Sequence, residues 1–139
     1  MSKKDLGYYL YLVSRAHHNR ANQVFSKIGL FRGQVPVLFE LGRGDGITQS
    51  ELSIRMELTQ ATLTNMLHRM ENAALIERVR DAQDARFTRV YLTSHGRDTL
   101  LQAQELGDKI ERAAIAGFTS EEQQSLKAYL ERIHTNLTS

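Results

Sequence analysis

The sequence predicts a mainly α-helical chain with one small β-hairpin. Three observations lead to this fold class. Between residues 47 and 72, two N-cap residues each accompany apolar side chains at helical spacing. Residues 76–93 contain two runs that alternate apolar and polar side chains around a polar tip. Stretches at both ends of the chain repeat apolar residues every three or four positions.

Two short helices are predicted between residues 48 and 72. Thr48 and Glu51 match a capping box, in which the hydroxyl and the carboxylate each accept a backbone N–H. The apolar stripe of this first helix comprises Ile47, Leu52 and Met56. Glu57 and Leu58 leave room only for a tight turn before Thr59, which caps the second helix. The inner face of the second helix comprises Leu63, Leu67 and Met70. Two helices joined in this way make a helix-turn-helix.

A polar hairpin follows the two helices. Its strands are predicted at residues 76–80 and 88–93, with the tip at residues 81–87. Four arginines give the hairpin positive charge that suits phosphates or a minor groove: Arg78, Arg80, Arg86 and Arg89. The alternative is that these arginines are ordinary solvated charges. A helix-turn-helix followed by a basic hairpin, called the wing, predicts a winged helix-turn-helix core.

The outward face of the second helix carries side chains suited to reading DNA. It comprises Gln60, Ala61, Thr64, Asn65, His68 and Arg69. None of these is acidic, and amides, hydroxyls and arginine can bond to base edges in the major groove, which small side chains can approach closely. The alternative is an ordinary solvated helix face. With a wing attached, we favour double-stranded DNA as the partner.

The ordered motifs of residues 48–96 resemble the MarR family of bacterial and archaeal transcription regulators. The opening motif Thr-Gln-x-x-Leu is present as Thr48, Gln49 and Leu52. The recognition-helix motif is paralleled by Leu58, Thr59, Thr62, Leu63 and Thr64. The segment after it is similar at Arg69, Met70, Glu71, Ala74, Leu75 and Ile76. The wing motif Asp-x-x-Asp-x-Arg and the exit motif are present as Asp81, Asp84, Arg86, Val90, Leu92, Thr93 and Gly96.

The chain departs from the family pattern at the turns and in the wing. Glu57 and Ala74 occupy positions where the family usually has glycine, so Glu57 is expected in a left-handed conformation. Gln83 and Ala85 stand where the family often carries arginine. We therefore expect a wing that is less basic than usual.

Composition limits the remaining possibilities. The chain of 139 residues has a net charge of only +2 and no cysteine, which excludes disulfides and thiolate metal sites. Its histidines lack the spacing of a helical metal site, and no nucleotide loop or nucleophile motif occurs. We therefore expect neither a metal, a cofactor nor an enzyme activity. No apolar run is long enough for a membrane helix and the N-terminus lacks a signal-peptide pattern, so we expect a cytoplasmic protein without membrane contact.

We expect a single domain over residues 1–139, with helices at both ends that serve dimerisation. The first spans about residues 5–28, and the last two lie within 94–139, over 94–117 and from the capping pair Thr119 and Glu122 onward. The DNA-binding lobe covers about residues 32–93; it starts with a helix over 32–41 and a flexible connector over 42–46. The terminal helices carry wide apolar bands, which a second copy could cover in a two-fold homodimer, as the resemblance also implies. The alternative is a monomer whose terminal helices pack internally.

Specific roles are predicted for residues of the recognition helix and the wing. Gln60, Thr64 and Asn65 are expected to contact bases, and Ala61 a thymine methyl group. Arg69 is expected to contact a base or a phosphate. In the wing, Arg86 is expected to contact the minor groove or a phosphate, while Asp84 orients an arginine, because phosphates would repel its carboxylate.

The resemblance implies two further properties. One is repression of transcription; the operator is expected to be pseudo-palindromic because a two-fold dimer presents two recognition helices to successive major grooves. The other is release by a small anionic aromatic effector bound between the dimerisation helices and the DNA-binding lobe, where His17, Arg20 and Met66 are candidates. The alternative for the histidines is that they are packed or solvated without a ligand. The alternative for the whole protein is a winged helix that binds another protein and no DNA.

Overall fold

The structure is a computed structural model that describes residues 2, 4–31 and 33–139 of the chain. Among these residues, six helices and three strands follow one another. They are α1 (Leu6–Phe25), α2 (Gln34–Arg43), β1 (Ile47–Thr48), α3 (Gln49–Met56), α4 (Gln60–Asn72), β2 (Ile76–Arg80), β3 (Thr88–Leu92), α5 (Ser94–Ala114) and α6 (Ser120–Thr138), with a 3₁₀ turn (Ser26–Ile28) after α1. The chain divides into two compact units, Met1–Gly107 and Asp108–Ser139. The predicted single domain and its lobes stay a prediction.

The three strands form one antiparallel sheet in the order β1-β3-β2. In the predicted hairpin, Ile76 pairs with Leu92 and Arg80 with Thr88. The additional strand β1 corrects the prediction for Ile47: it pairs with Val90 instead of extending the stripe of α3. A strand of two residues is too short to show alternation in a sequence. Its position is fixed by tertiary bonds, including the one from Gly46 N–H to the Val90 carbonyl at 2.7 Å.

The core of the first unit lies between α2, α3, α4 and the sheet. Its fully buried side chains include the predicted inner face of α4, Leu63, Leu67 and Met70, each with 0% exposure. Leu52 of α3 and Val90 of β3 are also fully buried. Burial of these apolar side chains stabilises the unit by removing their surface from water.

Side-chain caps begin three of the helices, as the sequence predicts. Thr48, Thr59 and Thr119 each accept the backbone N–H of the residue three positions later. At Thr119 the full capping box forms, because the Glu122 carboxylate accepts the Thr119 N–H at 2.9 Å. The capping box predicted at Thr48 is wrong in its second half. The Glu51 carboxylate instead bonds Arg55 at 2.8 Å, since a guanidinium one turn along the helix offers a charge-assisted partner.

Two helix boundaries differ from the prediction over residues 32–46. Helix α2 begins at Gln34 and continues to Arg43, so the first two residues of the expected connector are helical; Arg32, the predicted first residue, lies outside the described residues. A β-carbon at Gly42 would overlap the Leu100 side chain, so this glycine permits close packing. The rest of the connector is bonded to the sheet, because the Asp45 carboxylate accepts the Leu92 N–H at 3.1 Å.

The helical stretches at the two ends of the chain stop earlier than predicted. Helix α1 ends at Phe25, and the 3₁₀ turn that follows it ends at Ile28, with Gly29 as its C-cap. Gly29 has a φ of 78°, the left-handed conformation that commonly follows the end of a helix. Helix α5 ends at Ala114 rather than at Gly117, where φ is 84°. None of the helices among the described residues combines the length and the apolar character needed to cross a bilayer.

Candidate nucleic-acid interface

The turn between α3 and α4 fixes the direction of the second helix. Glu57 adopts φ 53° and ψ 40°, the left-handed conformation expected at this position. The Ser53 hydroxyl donates to the Leu58 carbonyl at 2.8 Å and closes the turn from the inside. At the start of α4, the Thr59 hydroxyl oxygen accepts the Thr62 N–H at 3.2 Å. These bonds satisfy backbone groups that a helix end would otherwise leave unpaired.

Helix α4 presents its predicted outward face to solvent. All six side chains of this face are exposed, and they are Gln60, Ala61, Thr64, Asn65, His68 and Arg69. Among the described residues, only His68 of this set makes a side-chain hydrogen bond, a long contact of 3.5 Å to Asn72. The face therefore offers amide, hydroxyl and guanidinium groups that are available to an external partner.

The wing arginines are mostly bonded within the protein. Arg78 donates to Glu71 at 3.0 Å, and Arg80 donates to the carbonyl of Ala85 at 3.1 Å. Arg89 donates to Asp81 at 2.9 Å and to the Gly46 carbonyl at 2.6 Å. The sequence predicts their charge but not these partners, which come from other elements or from across the hairpin. The wing therefore offers less available positive charge than its four arginines suggest.

Arg86 lies at the wing tip, and Asp84 holds it there. The Asp84 carboxylate accepts the Arg86 backbone N–H at 3.1 Å and its guanidinium at 2.7 Å. The side-chain hydrogen bond from Arg86 lowers the pKa of the Asp84 carboxyl below its usual value. The Arg86 side chain is nevertheless 84% exposed, so its guanidinium can reach an external partner. This geometry is the one that an orienting role for Asp84 requires.

Neither of two cavities in the described part of the protein is lined by all three candidate effector residues. His17 lines a cavity of about 360 Å³ that is otherwise largely apolar, with Phe25 and Phe31 among its other walls. Met66 lines a second cavity of about 450 Å³ beside α4, together with Asn65, Arg69, Gln34 and others. Arg20 lines neither of the two. Within the described residues, no cluster of three or more His, Asp or Glu side chains could hold a metal.

The fold and the exposed helix together define a winged helix-turn-helix protein. The MarR family model matches residues 30–88, which run from four residues before α2 to the first residue of β3. The chain is 36% identical over 95 residues to the transcriptional regulator HosA of Escherichia coli O127:H6, covering 68% of this chain and 70% of HosA. It is 25% identical over 126 residues to YybA, an HTH-type transcriptional regulator of Bacillus subtilis, covering 91% of this chain and 84% of YybA.

Solved structures of DNA complexes show the same architecture. The S. aureus MepR–DNA complex superposes with a TM-score of 0.89 at 25% identity, covering 96% of this chain and 99% of MepR. A MarR mutant from E. coli in complex with operator DNA gives 0.84 at 25% identity, covering 92% of each chain. The chain therefore belongs to the MarR family, and it is a winged helix-turn-helix transcription regulator. The predicted family, fold class and functional class are confirmed.

Proposed function

We propose that the protein represses transcription by binding a pseudo-palindromic DNA operator as a homodimer in the cytoplasm. The observation that supports this most directly is the outward face of α4, whose side chains are exposed while its opposite face is fully buried. The similarity to proteins solved on DNA, one of them on operator DNA, supports the same partner.

Within α4, we propose that Gln60, Thr64 and Asn65 contact base edges. Asn65 can form a two-point hydrogen bond with adenine, and Ala61 can contact a thymine methyl group. Arg69, one turn farther along, contacts a base or a phosphate. In the wing, Arg86 contacts a phosphate or the minor groove next to the half-site, oriented by Asp84.

The homodimer is supported by exposed apolar side chains near both ends of the chain. In the first unit, Leu6, Tyr9 and Val13 of α1 are 60%, 55% and 66% exposed. In the second unit, α6 exposes Leu126, Tyr129, Leu130 and Leu137. Apolar patches of this kind mark interaction surfaces, and covering them with a second copy gives a closed two-fold dimer. A two-fold dimer places its recognition helices about 34–36 Å apart, one turn of B-DNA.

For the effector, we propose a small anionic aromatic molecule that binds in the cavity lined by His17. Its walls include Phe25 and Phe31, which suit an aromatic ring, and His17 can donate a hydrogen bond to a carboxylate. Such a ligand would release DNA by binding more tightly to a dimer whose wing spacing does not fit the operator. A calorimetric titration with benzoate tests this, and a His17→Ala variant that binds benzoate as tightly as wild type would contradict it.

Selection of bound sequences from random duplex DNA tests the proposed function. We expect a pseudo-palindrome whose half-site centres lie about 10–10.5 base pairs apart. If no sequence is enriched and the affinity for duplex DNA does not change with salt, a winged helix that binds another protein is favoured instead. Phosphate contact releases counterions, so DNA binding must weaken as salt rises.

Replacing Asn65 with alanine tests the reading of bases within that site. We expect a loss of about 1–3 kcal/mol on the selected operator and a smaller loss on random DNA. The matched control is Asn72→Ala, at the far end of the same helix, which should bind nearly as wild type. Equal losses on operator and random DNA would contradict a base contact by Asn65.

A further inference from the structure

One ion pair joins α4, the proposed recognition helix, directly to β2 of the wing. The Glu71 carboxylate, on the last turn of α4, accepts the Arg78 backbone N–H at 3.2 Å. Its other oxygen accepts the Arg78 guanidinium at 3.0 Å. The side-chain hydrogen bond from Arg78 lowers the pKa of the Glu71 carboxyl, so the pair remains charged at neutral pH. Because Glu71 bonds both the backbone and the side chain of Arg78, it holds strand β2 in place as well as the guanidinium.

The backbone between these two residues makes a sharp corner. Helix α4 ends after Asn72, and Ala74 takes a left-handed φ of 60°. The Leu75 N–H then returns to the carbonyl of Met70 at 3.0 Å, and β2 starts at the next residue. The Glu71–Arg78 pair spans this corner, so it sets the angle between helix and wing together with the backbone.

Arg78 lies on the inner side of β2, which turns it away from solvent. Side chains alternate along a strand, so Arg78 points to the same side as Ile76, which is 2% exposed. The Arg78 side chain is only 20% exposed, compared with 84% for Arg86 at the tip. Arg78 is therefore largely buried and already bonded to Glu71, so its guanidinium is less available to a phosphate than that of Arg86.

We propose that Glu71 is a positioning residue for DNA binding, and that Arg78 serves the bond to Glu71 instead of a phosphate contact. This inference rests on the proposed function. Arg78 pairs with Val90, four residues after Arg86, so Arg86 lies about four positions beyond Arg78 along the hairpin, or about 13 Å at the rise of a β-strand. A rotation of about 10° at the corner would therefore move Arg86 by about 2 Å, enough to break a hydrogen bond.

The test is a double-mutant cycle with Glu71→Gln and Arg78→Gln, measured on the selected operator at several salt concentrations. We expect each single variant to bind about threefold to tenfold more weakly, because both partners are partly exposed and the bond is charge-assisted. The double variant should lose no more than either single one, since both remove the same interaction. The slope of affinity against salt should fall by the same amount in all three variants, because a displaced wing loses the contact of Arg86 in each of them.

Two further measurements separate positioning from a general structural role. The control Glu77→Gln removes an equal charge from the exposed side of β2, the strand that carries Arg78, and should bind like wild type. Hydroxyl-radical footprints should show that the Glu71 and Arg78 variants protect the major-groove half-sites but lose protection where the wing lies. Variants that melt earlier yet keep wild-type affinity and footprint would overturn the proposal and leave only a structural role.

A phosphate contact by Arg78 would give the opposite pattern. Glu71→Gln would then free the arginine and strengthen binding without reducing the salt slope, while Arg78→Gln alone would weaken binding and reduce the slope by about 0.9 for each lost phosphate contact. This difference between the two variants would overturn the inference while the proposed function stands. A wild-type protein that binds no duplex at all would overturn the proposed function, and with it this inference.

Discussion

Replacing Gly96 with alanine should destabilise the protein, because the start of α5 lies directly on the corner after α4. A β-carbon at Gly96 would overlap the backbone carbonyl oxygen of Leu75. The same carbonyl accepts the Thr93 N–H at 3.1 Å, and the Gly96 N–H donates to the Thr93 hydroxyl oxygen at 2.9 Å. The glycine therefore allows β3 and α5 to close against the end of the recognition helix.

The loss of stability in Gly96→Ala depends on whether the atoms that a β-carbon would overlap can move away. The overlap is far inside the 3.4 Å at which ordinary van der Waals contact begins, and the opposing atom is backbone that cannot rotate away. Overpacking of this kind costs about 1–3 kcal/mol, and more when the backbone must shift. Alanine in a helix gains about 1 kcal/mol over glycine, which offsets part of the cost. We expect a net loss of about 2 kcal/mol in the free energy of unfolding.

The matched control is Gly107→Ala, in the same helix. A β-carbon there would lie 3.9 Å from the nearest atom, the Cζ of Phe39, which is an ordinary contact. This variant should gain up to about 1 kcal/mol, because only the helix propensity changes. Urea unfolding at one fixed protein concentration measures both, since the stability of a dimer depends on concentration. A Gly96→Ala variant as stable as wild type would refute the reasoning.

Three further variants test the corner, the wing and the last helix. Ala74→Gly should raise the free energy of unfolding by about 1 kcal/mol, because Ala74 has a left-handed backbone conformation that glycine adopts without strain. The control Ala73→Gly, at an ordinary φ of −82°, should not raise it. Equal effects of the two variants in urea unfolding would contradict this. Arg86→Ala should weaken operator binding and reduce its salt slope by about 1.8 for a dimer with one phosphate contact per copy; an unchanged slope in a salt titration would exclude that contact. Thr119→Ala should cost about 1 kcal/mol by loss of the N-cap, again in urea unfolding, and no loss would show that the cap adds nothing.

The parts of the fold that local interactions determine could be predicted from the sequence. Thr48, Thr59 and Thr119 begin their helices as predicted, because a cap needs only residues within one turn. Helical periodicity likewise separates the buried from the exposed face of α4. The left-handed conformation of Glu57 was predicted on a different basis, the family resemblance, because the family usually has glycine at this position.

Features that depend on distant residues could not be predicted in this way. Strand β1 exists because Ile47 lies opposite Val90, more than forty positions away in the sequence. Helix α2 continues through Gly42 although glycine usually favours a stop, and the side chain of Leu100 packs so closely there that a β-carbon would overlap it. Both Ile47 and Gly42 contact residues that are distant in the sequence, and the sequence around each position does not indicate these contacts.

The same distinction changes how the charge of the wing should be understood. Residues 76–93 contain four arginines and three carboxylates, and Glu71 adds a fourth carboxylate from α4. Asp81, Asp84 and Glu71 each bind one arginine, so most of the positive charge is compensated within the protein. Electrostatic attraction to any duplex should therefore be modest, because non-specific affinity depends on the number of phosphates neutralised. Under the proposed function, we expect discrimination between operator and random DNA to come mainly from the exposed face of α4, while the ion pairs set where the wing lies and how Arg86 is presented.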